Sequence, residues 1–86
     1  MLLAVDVGNT NVTLALFDSE RLVADWRITS HHERTADELA VELGQLFHLR
    51  GLDVAVVDGV VIASVVPNLN PALIEVSRRY LKCDPV

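Results

Sequence analysis

The sequence predicts an α/β fold in which three strands are followed by a helix, a fourth strand and a second helix. Three observations lead to this prediction. Three short β-prone segments precede residue 30, a helical periodicity begins near residue 35, and an uninterrupted aliphatic run follows that helix. Because a helix separates this run from the earlier strands, it is expected to lie parallel to the first strand. The prediction is therefore a mixed sheet with the strand order 3-2-1-4.

The first two strands are predicted to form a hairpin. Residues 2–7 and 12–17 are apolar and rich in β-forming side chains, and residues 8–11 between them are turn-forming. The third strand, from residue 22, is predicted at the edge of the sheet with four alternating side chains toward the core: Leu22, Ala24, Trp26 and Ile28. This alternation favours core packing of Trp26 over stacking on a nucleotide.

Two helices follow from local signals. Thr35 and Glu38 match a capping box, and Gly51 suits a left-handed C-cap. The apolar side of this first helix is predicted to consist of Leu39, Leu43, Leu46 and Phe47. Asn70 and Pro71 predict the N-cap and first turn of the second helix. One side of the second helix is predicted to carry Leu73, Val76, Ser77 and Tyr80.

The segment between the helices allows two interpretations. The Asp58-Gly59 pair between two valine-rich runs would suit a hairpin. Residues 60–66 instead form a continuous aliphatic run, which is typical of a central parallel strand covered on both faces. The second interpretation is favoured, with the preceding residues serving as a connection.

Composition and charge exclude several classes of protein. The 86 residues include 7 Lys plus Arg against 12 Asp plus Glu, a formal net charge of −5, which argues against nucleic-acid binding. The chain is too short for a complete kinase-sized enzyme. The single cysteine, Cys83, cannot form an internal disulfide and indicates a reducing compartment. With no signal peptide or membrane-spanning run recognisable, a soluble cytoplasmic protein is expected.

The main candidate site is the polar segment that ends the first strand. Gly8 lets the backbone approach a bulky anion and adopt conformations closed to other residues, and successive backbone N–H groups could form an anion-binding nest. Asn9, Thr10 and Asn11 carry donors for phosphate oxygens, and Asp6 suits Mg²⁺ or its water shell. The alternative is a plain hairpin turn that Asp6 initiates. The cluster of specialised residues and an acid at the end of a buried strand favour the phosphate site.

The segment Asp6-x-Gly8-Asn9-Thr10-Asn11 resembles the first phosphate-binding motif of the actin- and hexokinase-like phosphotransferases, in the form carried by type III pantothenate kinases. Further matching segments are Trp26-Arg27, Thr35-Ala36-Asp37-Glu38-Leu39 and Ser64-Val65-Val66-Pro67. The Asp-x-Gly-x-Thr core is shared across the superfamily. The Asn-Thr-Asn form combined with Ser-Val-Val-Pro is much more specific, and the resemblance covers the whole chain.

The resemblance implies a ribonuclease H-like (actin-like ATPase) domain and transfer of the ATP γ-phosphate to pantothenate, the first step of coenzyme A biosynthesis. It also implies Mg²⁺ and a monovalent cation, K⁺ or NH₄⁺, and a homodimer. By the motif, Asp6 is the metal-linked acid. The ATP phosphates are held by Asp6, Gly8, Asn9, Thr10 and Asn11, and Val65 lies near the pantothenate pocket.

The resemblance further implies that residues 1–86 are the N-terminal part of the first lobe of a longer enzyme. The general base, a second phosphate loop and the adenosine pocket are expected beyond Val86, so no catalytic residue is assigned here and the chain alone is expected to be inactive. Residues 83–86 are expected to begin a fifth strand, and the free edge of the fourth strand to bind a neighbour. A sugar or acetate kinase of the same superfamily and a non-catalytic regulatory relative are the alternatives.

Four other residues are predicted to have structural roles. His31 and His32 precede Glu33, but adjacent side chains point to opposite sides, which favours a solvated loop over a metal site. Ser64 lacks a His-Asp partnership and is predicted to form hydrogen bonds at a strand end. Cys83 is predicted to serve packing, not reactivity.

Overall fold

A computed structural model describes residues 1–30, 33–65 and 70–86, and these form a single four-stranded sheet with two helices. In chain order the elements are β1 (Leu2–Val7), β2 (Asn11–Asp18), β3 (Arg21–Thr29), α1 (Ala36–Leu49), a 3₁₀ helix (Val54–Val56), β4 (Gly59–Ser64) and α2 (Asn70–Arg79). The strand order is β3-β2-β1-β4, with β1 antiparallel to β2 and parallel to β4. The predicted α/β class, element order and strand order are confirmed.

Within the described ranges, helices cover one face of the sheet. Buried side chains on that face come from all four strands and alternate along β1 and β2: Leu3, Val5, Val7, Val12, Leu14, Leu16, Ala24 and Val60. The opposite face is open. Residues that pair across neighbouring strands point to the same face of a sheet. Asp6, Thr13 and Arg27 form one such row across β1, β2 and β3. The open face therefore carries charged side chains close to the end of β1.

Helix α1 begins and ends as predicted. Thr35 Oγ1 accepts a hydrogen bond from the Glu38 N–H at 3.2 Å, and Glu38 Oε1 accepts one from the Thr35 N–H at 3.1 Å. The two bonds complete the capping box. After the helix, Gly51 adopts a φ of 70°, the left-handed conformation expected of a C-cap. Of the predicted apolar side, Leu39, Leu43 and Phe47 are buried and Leu46 is half-buried.

An aromatic contact joins β3 to α1. The Trp26 ring stacks on Phe47 with 4.8 Å between the ring centroids and 17° between the planes. The Arg50 guanidinium lies 5.9 Å from the Trp26 centroid. Phe47 is completely buried, so this stack is part of the core. The prediction that Trp26 serves core packing is confirmed.

The alternation predicted for β3 is wrong at its first residue. Leu16 of β2 pairs with Ala24, whereas its neighbour Phe17 pairs with Leu22, so Val23 is an extra residue in β3. An extra residue in one strand disrupts the ladder and changes which side chains face the core. Leu22 is consequently 51% exposed.

Strand β4 is parallel to β1 as predicted, but only one of its faces is covered. Val60 is buried, whereas the adjacent Val61 is 39% exposed. The prediction that both faces of β4 are covered is therefore wrong for the described residues, because α1 and α2 pack on the same side of the sheet. The hairpin alternative is excluded, since Val54–Val56 form a 3₁₀ helix and the Asp58 N–H donates to the Met1 carbonyl at 2.9 Å. The predicted end of the strand at Val66 lies outside the described residues.

Helix α2 differs from prediction at both ends. It begins at Asn70, the residue predicted as its N-cap, and so starts one residue earlier than predicted. Its buried residues are the predicted Leu73, Val76 and Ser77. Tyr80 follows the helix and is 40% exposed, while Leu81 is buried. The Tyr80 hydroxyl donates a hydrogen bond to Asp37 of α1, so Tyr80 links the two helices at the surface instead of filling the core.

The last residues return to the outer edge of β4. The Val86 N–H donates to the Val60 carbonyl at 2.8 Å, and the Val86 carbonyl accepts from the Ile62 N–H at 3.0 Å. These are the slanted hydrogen bonds of a parallel ladder, at the position predicted for a fifth strand. Cys83 is half-buried and packs against the core, which confirms the predicted packing. Neither helix of the described ranges has the length and apolar character needed to cross a bilayer.

Candidate phosphate-binding site

The candidate site is the loop that joins β1 to β2. The Gly8 N–H donates to the Asn11 carbonyl at 2.9 Å, so Asn9 and Thr10 form the tip of the loop. Both tip residues are exposed. Asn11 is already the first residue of β2 and pairs with Thr29 of β3, so the strand begins one residue earlier than predicted. The structure thus brings the four predicted loop residues together at one end of the sheet.

The tip presents hydrogen-bond donors that the protein itself does not use. Among the described residues, no hydrogen bond involves the backbone N–H of Asn9 or Thr10. The same holds for the side chains of Asn9, Thr10 and Asn11. Exposed amide and hydroxyl donors of this kind can bind the oxygens of an anion. The donors expected from the sequence are therefore available.

Gly8 matters because of a close approach, not because of its dihedral angles. Of the glycines in the described ranges, only Gly51 has a positive φ, so the expectation that Gly8 adopts a conformation closed to other residues is wrong. Asn9 and Thr10 also lack a positive φ, so the loop is not an anion-binding nest of the αR-αL kind. A Cβ on Gly8 would lie 3.2 Å from the Asn11 carbonyl oxygen. Gly8 therefore suits this position because the two arms of the loop, at Gly8 and Asn11, approach each other closely.

Asp6 lies on the open face, two residues before the loop. It is exposed and pairs in register with Thr13 of β2 and Ala63 of β4. Its carboxylate forms no hydrogen bond or ion pair with another described residue. In the same ranges, no group of three or more His, Cys, Asp and Glu side chains could hold a metal unaided. A single accessible carboxylate fits Mg²⁺, which binds one or two carboxylates together with substrate phosphates and keeps several waters.

Val65 lies beside the loop because the ladder between β1 and β4 continues beyond Ser64. The Val65 N–H donates to the Val7 carbonyl at 3.0 Å, and Val7 is the register partner of Ser64. The Val65 side chain is 69% exposed. The carboxyl ends of two parallel strands meet here, which is where open α/β sheets commonly bind ligands. Val66 and Pro67 of the same motif lie outside the described residues, as do His31 and His32.

Ser30, which the sequence reasoning missed, contacts the loop from the end of β3. Its Oγ donates to the Gly8 carbonyl at 2.7 Å, and its N–H donates to the Thr10 carbonyl at 2.9 Å. The only sequence signal was a hydroxyl residue at the end of the predicted edge strand. Its partners are backbone atoms, and these leave no side-chain pattern to detect.

A cavity of about 30 Å³ lies elsewhere, between the sheet and the helices. Its lining is almost wholly aliphatic and includes Leu14, Leu43 and Val76. Asp6 points to the opposite face of the sheet, so the cavity is separate from the loop. With room for only one or two waters and few polar partners, it is a packing gap in the core.

Two titratable groups with displaced pKa values belong to the helices and not to the loop. The hydrogen bond from the Thr35 backbone N–H lowers the pKa of Glu38. The hydrogen bond to Asp37 raises the pKa of Tyr80. Both groups are at the surface, and their bonds fix the start of α1 and its contact with the end of α2.

Comparison with known proteins decides the family. Residues 2–86 match the family described as Type III pantothenate kinase. The chain belongs to the type III pantothenate kinase family. A protein named Type III pantothenate kinase from Moorella thermoacetica is 46% identical over 86 residues, covering 100% of this chain and 34% of the relative. The corresponding proteins of Phenylobacterium zucineum and Paramagnetospirillum magneticum are 48% and 46% identical, with 34% and 33% of their lengths covered.

The chain therefore spans about a third of the length of the type III pantothenate kinases that it matches. Membership confirms the family predicted from the Asp6-to-Asn11 segment, in preference to a sugar or acetate kinase. The four-stranded mixed sheet with two helices is consistent with a fragment of the actin-like ATPase domain.

Proposed function

We propose that this chain is the N-terminal part of the first lobe of a type III pantothenate kinase and supplies its first phosphate-binding loop. The complete protein then transfers the γ-phosphate of ATP to pantothenate, giving 4'-phosphopantothenate in the first step of coenzyme A biosynthesis. The observation that carries the proposal is the exposed tip, where the N–H groups of Asn9 and Thr10 have no partner among the described residues. Asp6 and Val65 lie at the same end of the sheet.

The loop acts by holding the phosphates in place. The tip amides and the side chains of Asn9, Thr10 and Asn11 donate to phosphate oxygens, and Gly8 leaves room for the approach. Hydrogen bonds to a charged acceptor contribute about 1.5–3 kcal/mol each. Phosphoryl transfer depends mainly on positioning and on charge stabilisation, so a loop of this kind supplies a direct part of catalysis.

Asp6 is proposed to hold Mg²⁺ beside the phosphates, directly or through a bound water. Its carboxylate is exposed, unpaired within the described residues and two residues from the loop, as such a role requires. When bound, Mg²⁺ neutralises phosphate charge. A monovalent cation, K⁺ or NH₄⁺, completes the proposed set of cofactors.

Val65 is proposed to contact pantothenate. Its exposed aliphatic side chain stands next to the loop, where the acceptor hydroxyl must meet the γ-phosphate. No residue of the chain is assigned as the general base, which is proposed to belong to the remainder of the protein. The chain alone is accordingly expected to be inactive. The complete protein is proposed to be a cytoplasmic homodimer.

The test is ATP-dependent phosphorylation of pantothenate by the full-length protein, with Asp6→Asn as the first variant. We expect kcat to fall about 100-fold or more, because the variant loses the charge that holds the cation. Asp25→Asn is the matched control, since Asp25 is also an exposed acid of the open face, paired with Ala15. We expect it to retain full activity.

Two results would contradict the proposal. One is the absence of pantothenate phosphorylation by the wild-type protein, as a regulatory relative would show. The other is an Asp6→Asn variant as active as Asp25→Asn. A panel of sugars and acetate, tested with the same preparation, separates pantothenate from the acceptors of related kinases.

A further inference from the structure

We propose that Ser30 is a positioning residue that holds the phosphate loop in its binding conformation. This inference rests on the function proposed above and adds a residue to it. The other site residues, Asp6, Val65 and those of the loop, are proposed to contact the ligand or its cation. Ser30 directly follows the last residue of β3. It acts instead through hydrogen bonds to the backbone of the loop.

The two hydrogen bonds of Ser30 hold the carbonyl group just before the loop tip and the last carbonyl group of the tip. Ser30 Oγ donates to the Gly8 carbonyl at 2.7 Å, and the Ser30 N–H donates to the Thr10 carbonyl at 2.9 Å. Ser30 is half-buried, so these bonds are partly shielded from competing water. Together with the 2.9 Å bond from the Gly8 N–H to the Asn11 carbonyl, they are the restraints on the loop outside the strand ladders in the described part of the chain.

Peptide geometry converts these bonds into an orientation of donors. In a trans peptide unit the C=O and the following N–H point in opposite directions. The chain contains no cis peptide in its described residues. A Gly8 carbonyl directed at Ser30 therefore turns the Asn9 N–H away from Ser30. The bond to the Thr10 carbonyl orients the Asn11 N–H in the same way.

The Gly8–Asn9 peptide is the one most in need of such a restraint. Glycine has no Cβ to restrict rotation about its backbone bonds, so the peptide that follows it turns easily. If the Ser30 hydroxyl is removed, the Asn9 N–H is no longer held in one orientation before the nucleotide arrives. The loop must then become ordered when ATP binds, which reduces the net free energy of binding and lowers the affinity for ATP.

The experiment compares three variants of the full-length protein by steady-state kinetics. We expect Ser30→Ala to raise the KM for ATP about threefold to tenfold, because the variant loses one hydrogen bond. The KM for pantothenate should stay unchanged. Ser30→Thr retains the hydroxyl and should restore the KM for ATP. Ser77→Ala is the matched control, because Ser77 Oγ also donates to a backbone carbonyl, that of Leu73 at 2.8 Å, within α2. It should leave the KM for ATP unchanged.

A second measurement reports on the loop without catalysis. The Gly8 N–H is hydrogen-bonded across the loop, and we expect its hydrogen exchange to quicken in Ser30→Ala but not in Ser77→Ala. An unchanged KM for ATP in Ser30→Ala overturns the inference, as does an equal rise in Ser77→Ala. If Ser30→Ala does not fold, Ser30→Cys replaces it with the same expectation, since a thiol is a weak donor.

Failure of the inference can be told apart from failure of the proposed function. If the wild-type protein does not phosphorylate pantothenate, the proposed function fails, and calorimetric binding of MgATP to the wild-type protein and Ser30→Ala decides the inference. Weaker binding by Ser30→Ala supports the positioning role. Equal binding by the two proteins, or the absence of binding by both, overturns it.

Discussion

Replacing Gly8 by alanine tests how closely the two arms of the phosphate loop approach one another. An alanine Cβ would lie 3.2 Å from the Asn11 carbonyl oxygen, about 0.2 Å inside the 3.4 Å at which ordinary contact begins. That oxygen accepts the 2.9 Å hydrogen bond from the Gly8 N–H. The Cβ must therefore push away the atom on which the turn depends.

Two opposing effects set the magnitude for folding. A Gly-to-Ala change at a position with an ordinary φ stabilises a protein by about 0.4–1 kcal/mol, because the unfolded chain loses conformational freedom. Weakening the hydrogen bond across the loop removes up to about 0.5–1.5 kcal/mol. We therefore expect the free energy of unfolding of Gly8→Ala to stay within about 1 kcal/mol of the wild-type value. The KM for ATP should rise about threefold to tenfold as the tip donors are displaced.

The control is Gly44→Ala in α1. A Cβ at Gly44 has no neighbouring atom within 4 Å, so only the gain from helix propensity remains, about 0.5–1 kcal/mol. Urea unfolding and ATP kinetics of the full-length protein measure both quantities. If Gly8→Ala were stabilised as much as Gly44→Ala and bound ATP normally, the close approach at Asn11 would have no energetic consequence and the reasoning would be wrong.

Two further predictions concern the helices that support the sheet. Phe47→Ala should lower the free energy of unfolding by about 3–5 kcal/mol, because it empties a fully buried site and removes the stack on Trp26. Leu49, which is 79% exposed, supplies the control. If Leu49→Ala lowered the free energy of unfolding as much as Phe47→Ala, the assignment of Phe47 to the core would be refuted. The lowered pKa of Glu38 means that its contribution to stability is fully present above its ordinary pKa near 4.5 and is lost as the pH falls through the lower folded value. Melting temperatures of wild type and Glu38→Gln between pH 7 and acid should therefore converge at low pH, and parallel curves would contradict this.

The elements that could be predicted from the sequence are those with local signals. The limits of α1 follow from Thr35, Glu38 and Gly51, which all lie within or beside the helix. The hairpin of β1 and β2 follows from two apolar runs around a polar turn. The position of the loop could also be predicted, because its donors are adjacent in the chain.

The features that escaped prediction depend on contacts distant in sequence. Leu22 is exposed because of an extra residue in β3, and nothing in the alternation of that strand marks it. The one-sided burial of β4 depends on where both helices pack, which an aliphatic run does not specify. Ser30 binds carbonyl oxygens some 20 residues away, and every residue type offers the same carbonyl group.

Strand β3 connects the core to the loop through a short length of chain. Trp26, stacked on α1, and Ser30, bonded to the loop, are four residues apart on β3 and its immediate end, a span of about 13 Å in extended chain. A displacement of Trp26 is therefore expected to displace Ser30 as well. Nucleotide affinity and thermal stability are thus expected to vary together across natural variants of this strand. A bound nucleotide would in return protect the aromatic stack from opening.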